Sequence, residues 1–414
     1  MNIFTNISGS VIQRVLTIIS YTVPVILLFY IIFNVVMGKE MISDAALLNW
    51  DAKHYFSIKN NAYNDVYTVA FFPLFPFLWK LLSLGITGIV IFNSVIFLAG
   101  FLLFTVIMKP TTKEILLFLS LPSLIFMFLP YSEAIFFISS IVLLWGLMKK
   151  NMLITCIGFF LCGLARPVAV FFIPAILIME FLLNKNKFVF IKRSLIYCSV
   201  TIISLLVVGA IQHSYTGQWF GFFKAQHDWE NYLQIPSLPL TSWAGDTIVR
   251  LDGSALLVGL VSLLALIKYF IQYLKDRKPN VTPEFFFSLL YLTGISLYVL
   301  FFRGGSLFSL NRFVFCTPFF MVALYHFLKT DPRNFKQIGY IMLLITLFWL
   351  LFNSWVHIMT FLKYLFLTVY ICSYFLINNK NKIIKNIAFT FCLVFNICFQ
   401  LYFYYRFLSE EWVG

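Results

Sequence analysis

Apolar residues run through this chain in long blocks, with few polar interruptions and little strand-like alternation. A membrane-crossing helix needs about 20 predominantly apolar residues, within a range of about 17–25. Blocks of that kind occupy 12–37, 86–108, 194–212, 254–274, 284–302, 312–328, 337–353, 355–377 and 386–408. Shorter apolar pieces at 115–129 and 131–148 meet at Pro130. Residues 69–84 are apolar but broken by prolines, and they read as a re-entrant or interfacial lead-in to 86–108. The run at 15–37 is too long for the core of a signal peptide and no small-residue cleavage site follows it, so it reads as an uncleaved first span.

The polar stretches between blocks sort into two sets. Stretches 109–114, 149–150, 185–193, 275–278, 329–336 and 378–385 hold 17 Lys or Arg against 3 Asp or Glu. Stretches 38–69, 130–133, 213–253, 303–312 and 409–414 hold 7 against 11. The bias of Lys and Arg assigns the first set to the cytoplasm and the second to the outside. Residues 152–183 then lie between two cytoplasmic stretches and must cross an even number of times. Their one natural break is Arg166-Pro167, since proline lacks a donor and pushes the residue before it out of the helical region. Two short arms, 152–165 and 167–183, should form a hairpin with Arg166 at its outer tip. The expected architecture is an all-α polytopic membrane bundle of about 13 crossings, a single domain over 1–414. Its N-terminus lies in the cytoplasm. Within 38–69 the spacing predicts one or two interfacial helices near 42–59.

Composition agrees with lipid as the solvent: 61% of the 414 residues are hydrophobic and only 11% are charged, against about a quarter charged in soluble domains. The net charge of +14 is confined to short inter-block clusters with no reader motif, which excludes nucleic acid as a partner. The seven cysteines lie within apolar stretches without CxxC spacing and read as small buried hydrophobes. No DxD motif is present, and no protein-ligated metal or other cofactor is expected.

Chemistry belongs to the two long outer stretches, 38–69 and 213–253. Asp51 follows Trp50 and precedes Ala52-Lys53-His54-Tyr55. Further on come Ala70-Phe71-Phe72-Pro73-Leu74-Phe75-Pro76, then Tyr131-Ser132-Glu133-Ala134-Ile135-Phe136, then Gly163-Leu164-Ala165-Arg166, then Ala225-Gln226-His227-Asp228-Trp229. In that order these segments resemble the PIG-V family of membrane mannosyltransferases, from about residue 49 to 230, with a weaker likeness at Asn311-Arg312-Phe313. The resemblance implies a GT-C type fold and a polyprenyl-phosphate-sugar donor, used on the outer membrane face. Carried over by position, the family's Trp-Asp motif falls on Trp50-Asp51 and its tyrosine-glutamate element on Tyr131 and Glu133.

Elementary chemistry points the same way. Glycosyl transfer requires a base to take the acceptor's proton and a cation to stabilise the departing phosphate. Asp51 is the candidate base. Arg166, Arg303 and Arg312 are the candidate phosphate ligands, each an ionisable group at membrane depth or at a span end. Glu133 is a second base or an acceptor ligand. His54, three residues after Asp51, shares its helical face. Gln226 and His227 are candidates for sugar hydroxyls. The expected partners are the lipid-linked donor, a lipid, glycan or protein acceptor, and the surrounding membrane lipids. The wealth of Asn, Lys, Ile and Phe suggests a bacterial source, hence the inner (plasma) membrane. The competing reading is a transporter or flippase of lipids or lipid-linked sugars, against which stands the lack of repeated halves.

Overall fold

The computed structural model describes residues 2–64, 67–276, 281–330 and 335–414. Asp65 and parts of the basic stretches 275–278 and 329–336 lie outside the described residues. Among the described residues the chain is all-helical, and the one extended pairing is a single bridge between Thr241 and Ser306.

The apolar blocks become helices in chain order. Helix α1 (Asn2–Tyr30) continues into a π-helical turn, Ile31–Val36. The first acidic stretch folds into α2 (Asp44–Leu47) and α3 (Asp51–Asn61). Next is α4 (Leu74–Leu81), the lead-in expected from the prolines. Its 8 residues extend only about 12 Å, far short of a membrane's thickness. Then come α5 (Ile86–Met108), α6 (Thr112–Leu119) and α7 (Glu133–Lys149). Helices α8 (Met152–Ala165) and α9 (Phe172–Leu183) are the two arms around Arg166-Pro167, and Phe159 and Phe172 touch between them. Helix α10 (Lys187–Thr216) is followed by the short α11 (Gly221–Asp228), then α12 (Asp246–Asp276) and α13 (Pro283–Phe302). The rest is α14 (Leu310–Phe315), α15 (Pro318–Leu328), α16 (Phe335–Phe348), α17 (Ile358–Leu376) and α18 (Lys382–Leu408).

Seven of these helices are long and apolar enough to cross a membrane, and an eighth span results if the pair Pro122–Phe128 and Glu133–Lys149, bent by 103°, counts as one. The sequence blocks give a higher number because they include four apolar segments of 10–17 residues, such as α8 and α15. Large apolar side chains remain exposed all along the long helices, among them Ile91, Val95, Leu195, Leu264 and Ile387. A belt this extensive is incompatible with water, so the chain is an integral membrane protein.

Helix breaks inside such a bundle free backbone carbonyls that lipid cannot satisfy. Here side-chain amides satisfy them. Gln400 on α18 donates to Leu119 O and Leu121 O at 3.0 Å, where α6 ends. Asn93 on α5 bonds Leu129 O and Tyr131 O on either side of Pro130. Helices α7 and α8 pack through small residues: a Cβ on Gly146 would lie 2.5 Å from Thr155 N, and one on Gly158 would strike the backbone of Leu143.

The two sets of polar stretches occupy opposite ends of the bundle. At the basic end, Lys329 pairs with Glu114 at 3.1 Å and Lys113 bonds Asn386 at 2.8 Å. At the acidic end, Lys39 bonds Ser409 at 2.7 Å, Asn49 bonds Phe407 O at 3.0 Å, and Thr241 pairs with Ser306. The stretch 213–253 is partly helical, since its first residues complete α10 and its last begin α12.

Candidate functional site

Local backbone geometry delivers four charged side chains to one point at the acidic end. Asp51 opens α3, and the chain enters that helix through Trp50 at φ 55°, ψ −123°. A bulky residue at positive φ costs about 1–3 kcal/mol and persists only where its surroundings hold it. They do so through Asn49, whose carbonyl accepts from the Tyr131 hydroxyl at 3.2 Å. Glu133 opens α7 directly after the sharp bend. Arg166 sits in the extended gap between α8 and the 3₁₀ turn Pro167–Phe171, at φ −152°, ψ 144°, the conformation that a following proline favours. Arg312 rides on α14, entered through Ser309 at φ 65°.

These four groups form a continuous ion cluster. One oxygen of Glu133, Oε1, accepts from Arg166 Nη1 at 2.9 Å and from Arg312 Nε and Nη2 at 2.8 and 2.6 Å. Arg312 Nη1 donates to Asp51 Oδ2 at 2.8 Å and to the Gly414 carbonyl at 2.7 Å. The Arg312 guanidinium also lies over the rings of Phe126 and Tyr131, 4.9 and 4.8 Å from their centroids. Two acids thus balance two arginines in a site where Glu133 is fully buried. Tyr55 on α3 donates to Ser132 Oγ at 2.7 Å. Burial first, and the Glu133 charge second, raise the Tyr55 pKa above its ordinary value, so its hydroxyl stays neutral.

In front of this cluster lies a cavity of about 460 Å³. Trp50, Asp51, His54, Arg166, Gln226, Arg303 and Arg312 all line it, so seven of the ten residues singled out in the sequence meet in one space. Tyr131 and Glu133 stand behind that wall, buried; Glu133 holds the lining residues Arg166 and Arg312, and Tyr131 lies under Arg312. His227 is exposed and does not line the cavity, because α11 turns its Gln226 face inward instead. His54 stacks on Phe71 with centroids 4.8 Å apart. Apolar walls come from Phe171, Phe222, Phe223, Tyr298 and Phe302.

Arg303 differs from the other two arginines. No carboxylate is within ion-pair distance of it among the described residues. Its Nε donates to Asn231 Oδ1 at 3.0 Å, Nη1 donates to Phe308 O, and its plane lies 3.7 Å from the centroid of the Phe308 ring. The charged lining residues are therefore Arg166, Arg303 and Arg312 against Asp51, an excess of two positive charges. Glu133 behind them reduces it to one.

Sequence reasoning missed several contributors. Trp412 and Gly414 belong to the segment after α18, which folds back into the site. Six residues without periodicity carry no signal for that. Asp252 does carry one, being an acid at the head of an apolar run. It is fully buried on α12, where it accepts from Asn311 N and Nδ2 at 2.9 and 2.8 Å and from Ser242 at 3.0 Å. Among the described residues no group of three or more His, Cys, Asp or Glu is placed to hold a metal ion. No protein-family model, no curated protein and no solved structure matches the chain.

Proposed function

We propose that this protein is a membrane glycosyltransferase of GT-C-like fold that transfers a hexose, on the motif resemblance mannose, from a polyprenyl phosphate to an acceptor hydroxyl. The reading rests chiefly on one observation. A carboxylate, Asp51, is held by an arginine on the wall of a cavity of about 460 Å³ whose charged lining has a positive excess. In the proposed reaction the acceptor oxygen attacks the anomeric carbon, and the bond from that carbon to the phosphate oxygen breaks. Polyprenyl phosphate departs with the electron pair, and the hydroxyl proton passes to Asp51. One displacement inverts the sugar carbon. Arg312 occupies Oδ2 of Asp51, which leaves Oδ1 for the incoming hydroxyl. The aromatic wall around Phe222, Phe223 and Phe302 suits an isoprenoid chain, and the arginines suit the growing charge on the phosphate.

The proposal includes the wider topology: about 13 crossings, the basic end in the cytoplasm and the site on the extracytoplasmic face. In a bacterium this would be the inner membrane. The test is Asp51→Asn, assayed for transfer from a labelled polyprenyl-phosphate-mannose. General-base loss is worth about 10²–10⁴-fold in rate. A variant that transfers at the wild-type rate refutes the base assignment. A wild-type protein that binds or moves the labelled lipid without consuming it supports the flippase reading instead.

A further inference from the structure

Three tryptophans from distant parts of the chain meet on the cavity wall. Trp50 lies 6.0 Å from Trp243 and 5.0 Å from Trp412, and Trp243 lies 5.1 Å from Trp412, centroid to centroid. All three line the cavity. The backbone beside each is fixed by a buried polar group. Asn49, before Trp50, is tied to Tyr131 and to Phe407 O. Ser242, before Trp243, bonds Asp252 at 3.0 Å. After Trp412, Val413 O accepts from Asn311 at 3.3 Å and Gly414 O accepts from Arg312 at 2.7 Å. Asp252 and Asn311 are themselves bonded, so Trp243 and Trp412 hang from one network, and Arg312 links Trp412's segment to Asp51. Packing against lipid requires no such framework. A fixed aromatic surface for a ligand does, since rigid anchors lose little freedom on binding.

The chemistry of the lining selects the ligand class. A quaternary ammonium would suit three indoles in isolation, but the positive excess beside them disfavours a cation. A plain hydrocarbon chain leaves Asp51 and the arginines beside the indoles without a partner. The rings meet at angles, Trp50 standing 63° from Trp243 and 86° from Trp412, and so present separate indole faces and edges to the cavity. A neutral ring with one apolar face and hydroxyls at its rim can lie against an indole face while its hydroxyls meet the charged groups. We infer that Trp50, Trp243 and Trp412 form a platform for a pyranose ring, and that this ring carries the hydroxyl presented to Asp51, next in sequence to Trp50. The acceptor is then a carbohydrate rather than a protein side chain or a simple lipid alcohol. The last clause rests on the proposed transferase reading, while the ring platform stands without it.

The platform is tested by titrating the full-length protein in lipid nanodiscs with methyl α-mannopyranoside and following tryptophan emission, with glycerol as the ringless control. Nanodiscs avoid sugar-headed detergents, which would occupy the platform. Wild type should give a saturable change with the pyranoside and none with glycerol. Trp243→Ala and Trp412→Ala should weaken binding by about tenfold or more, the corresponding Phe variants should retain most of it, and Trp355→Ala, an exposed tryptophan away from the cavity, should bind as wild type. In transfer assays the two Ala variants should raise the acceptor KM while leaving the donor KM unchanged. Binding that is absent in wild type, or equal in wild type and both Ala variants, overturns the platform. Saturable binding lost in those variants, in a protein that transfers no sugar, keeps the platform and removes the transferase reading. Transfer with an unaltered acceptor KM in both variants does the reverse.

Discussion

Replacing Glu133 by Gln keeps the shape of the ion cluster and removes one charge. Glu133 Oε1 accepts three N–H groups, from Arg166 and Arg312, at 2.6–2.9 Å, and its side chain is wholly buried. In Glu133→Gln the amide oxygen still accepts, but two arginines are left to share the charge of Asp51. Stranding a buried charge by deleting its partner costs about 3–5 kcal/mol, and burial leaves little solvent to screen it. Adding Arg166→Met removes the surplus cation and leaves Asp51 with Arg312, which is neutral again. The double variant should therefore be less destabilised than the sum of the two single ones, by about 1–3 kcal/mol of coupling. The measurement is reversible unfolding in mixed micelles followed by near-ultraviolet circular dichroism for wild type, both singles and the double. Strictly additive losses, or a Glu133→Gln loss below about 1 kcal/mol, would refute the view that charge balance holds this site together.

Arg303→Gln strands no acid at ion-pair distance but loses bonds to Asn231 and Phe308 O, so it should cost about 1–3 kcal/mol of stability, while weakening inhibition by free polyprenyl phosphate about 10-fold or more, the value of a lost charge-assisted bond of about 1.5–3 kcal/mol; equal inhibition of both proteins would remove Arg303 from the phosphate site. Gly146→Ala places a methyl 2.5 Å from Thr155 N between α7 and α8 and should cost about 1–3 kcal/mol in the same micelle assay, with an unchanged midpoint contradicting the close packing. Asp252→Ala removes the acceptors of Asn311 N, Asn311 Nδ2 and Ser242 Oγ; protease should then cut the 409–414 segment faster than in wild type, and an unchanged cutting rate would detach that segment from the Asp252 network.

Much of this arrangement is legible in the order of residues along the chain. The charge bias of the polar stretches separates them into two sets whose members contact one another, and the cost of desolvating Lys and Arg keeps those residues out of the apolar blocks. Lys113 and Lys329 duly meet their partners at one end, Lys39 and Asn49 theirs at the other. Arg166 is legible as well, since the following proline forces a break. Partnership is harder to read. Nothing in the spacing of Glu133 and Arg312 announces a contact across 179 residues, and Trp412 lies in a six-residue tail without pattern. The span count is ambiguous for a physical reason: an apolar segment such as α15 is buried by neighbouring helices while α8 keeps Leu153 and Ile157 exposed, so hydropathy alone cannot separate a short crossing from a packed interior helix.

The amides that close the broken helices also impose an order on biogenesis. Leu119 O receives its bond from Gln400, 281 residues further along. At about 5–20 residues per second, the ribosome needs roughly 14–56 s to make the donor after the acceptor has appeared. Throughout that interval the end of α6 has an open carbonyl that lipid cannot satisfy. The bend before α7 must wait beside the translocon, or under a membrane chaperone, until α18 arrives, and truncations that remove α18 should be cleared by membrane proteases rather than accumulate as partial bundles.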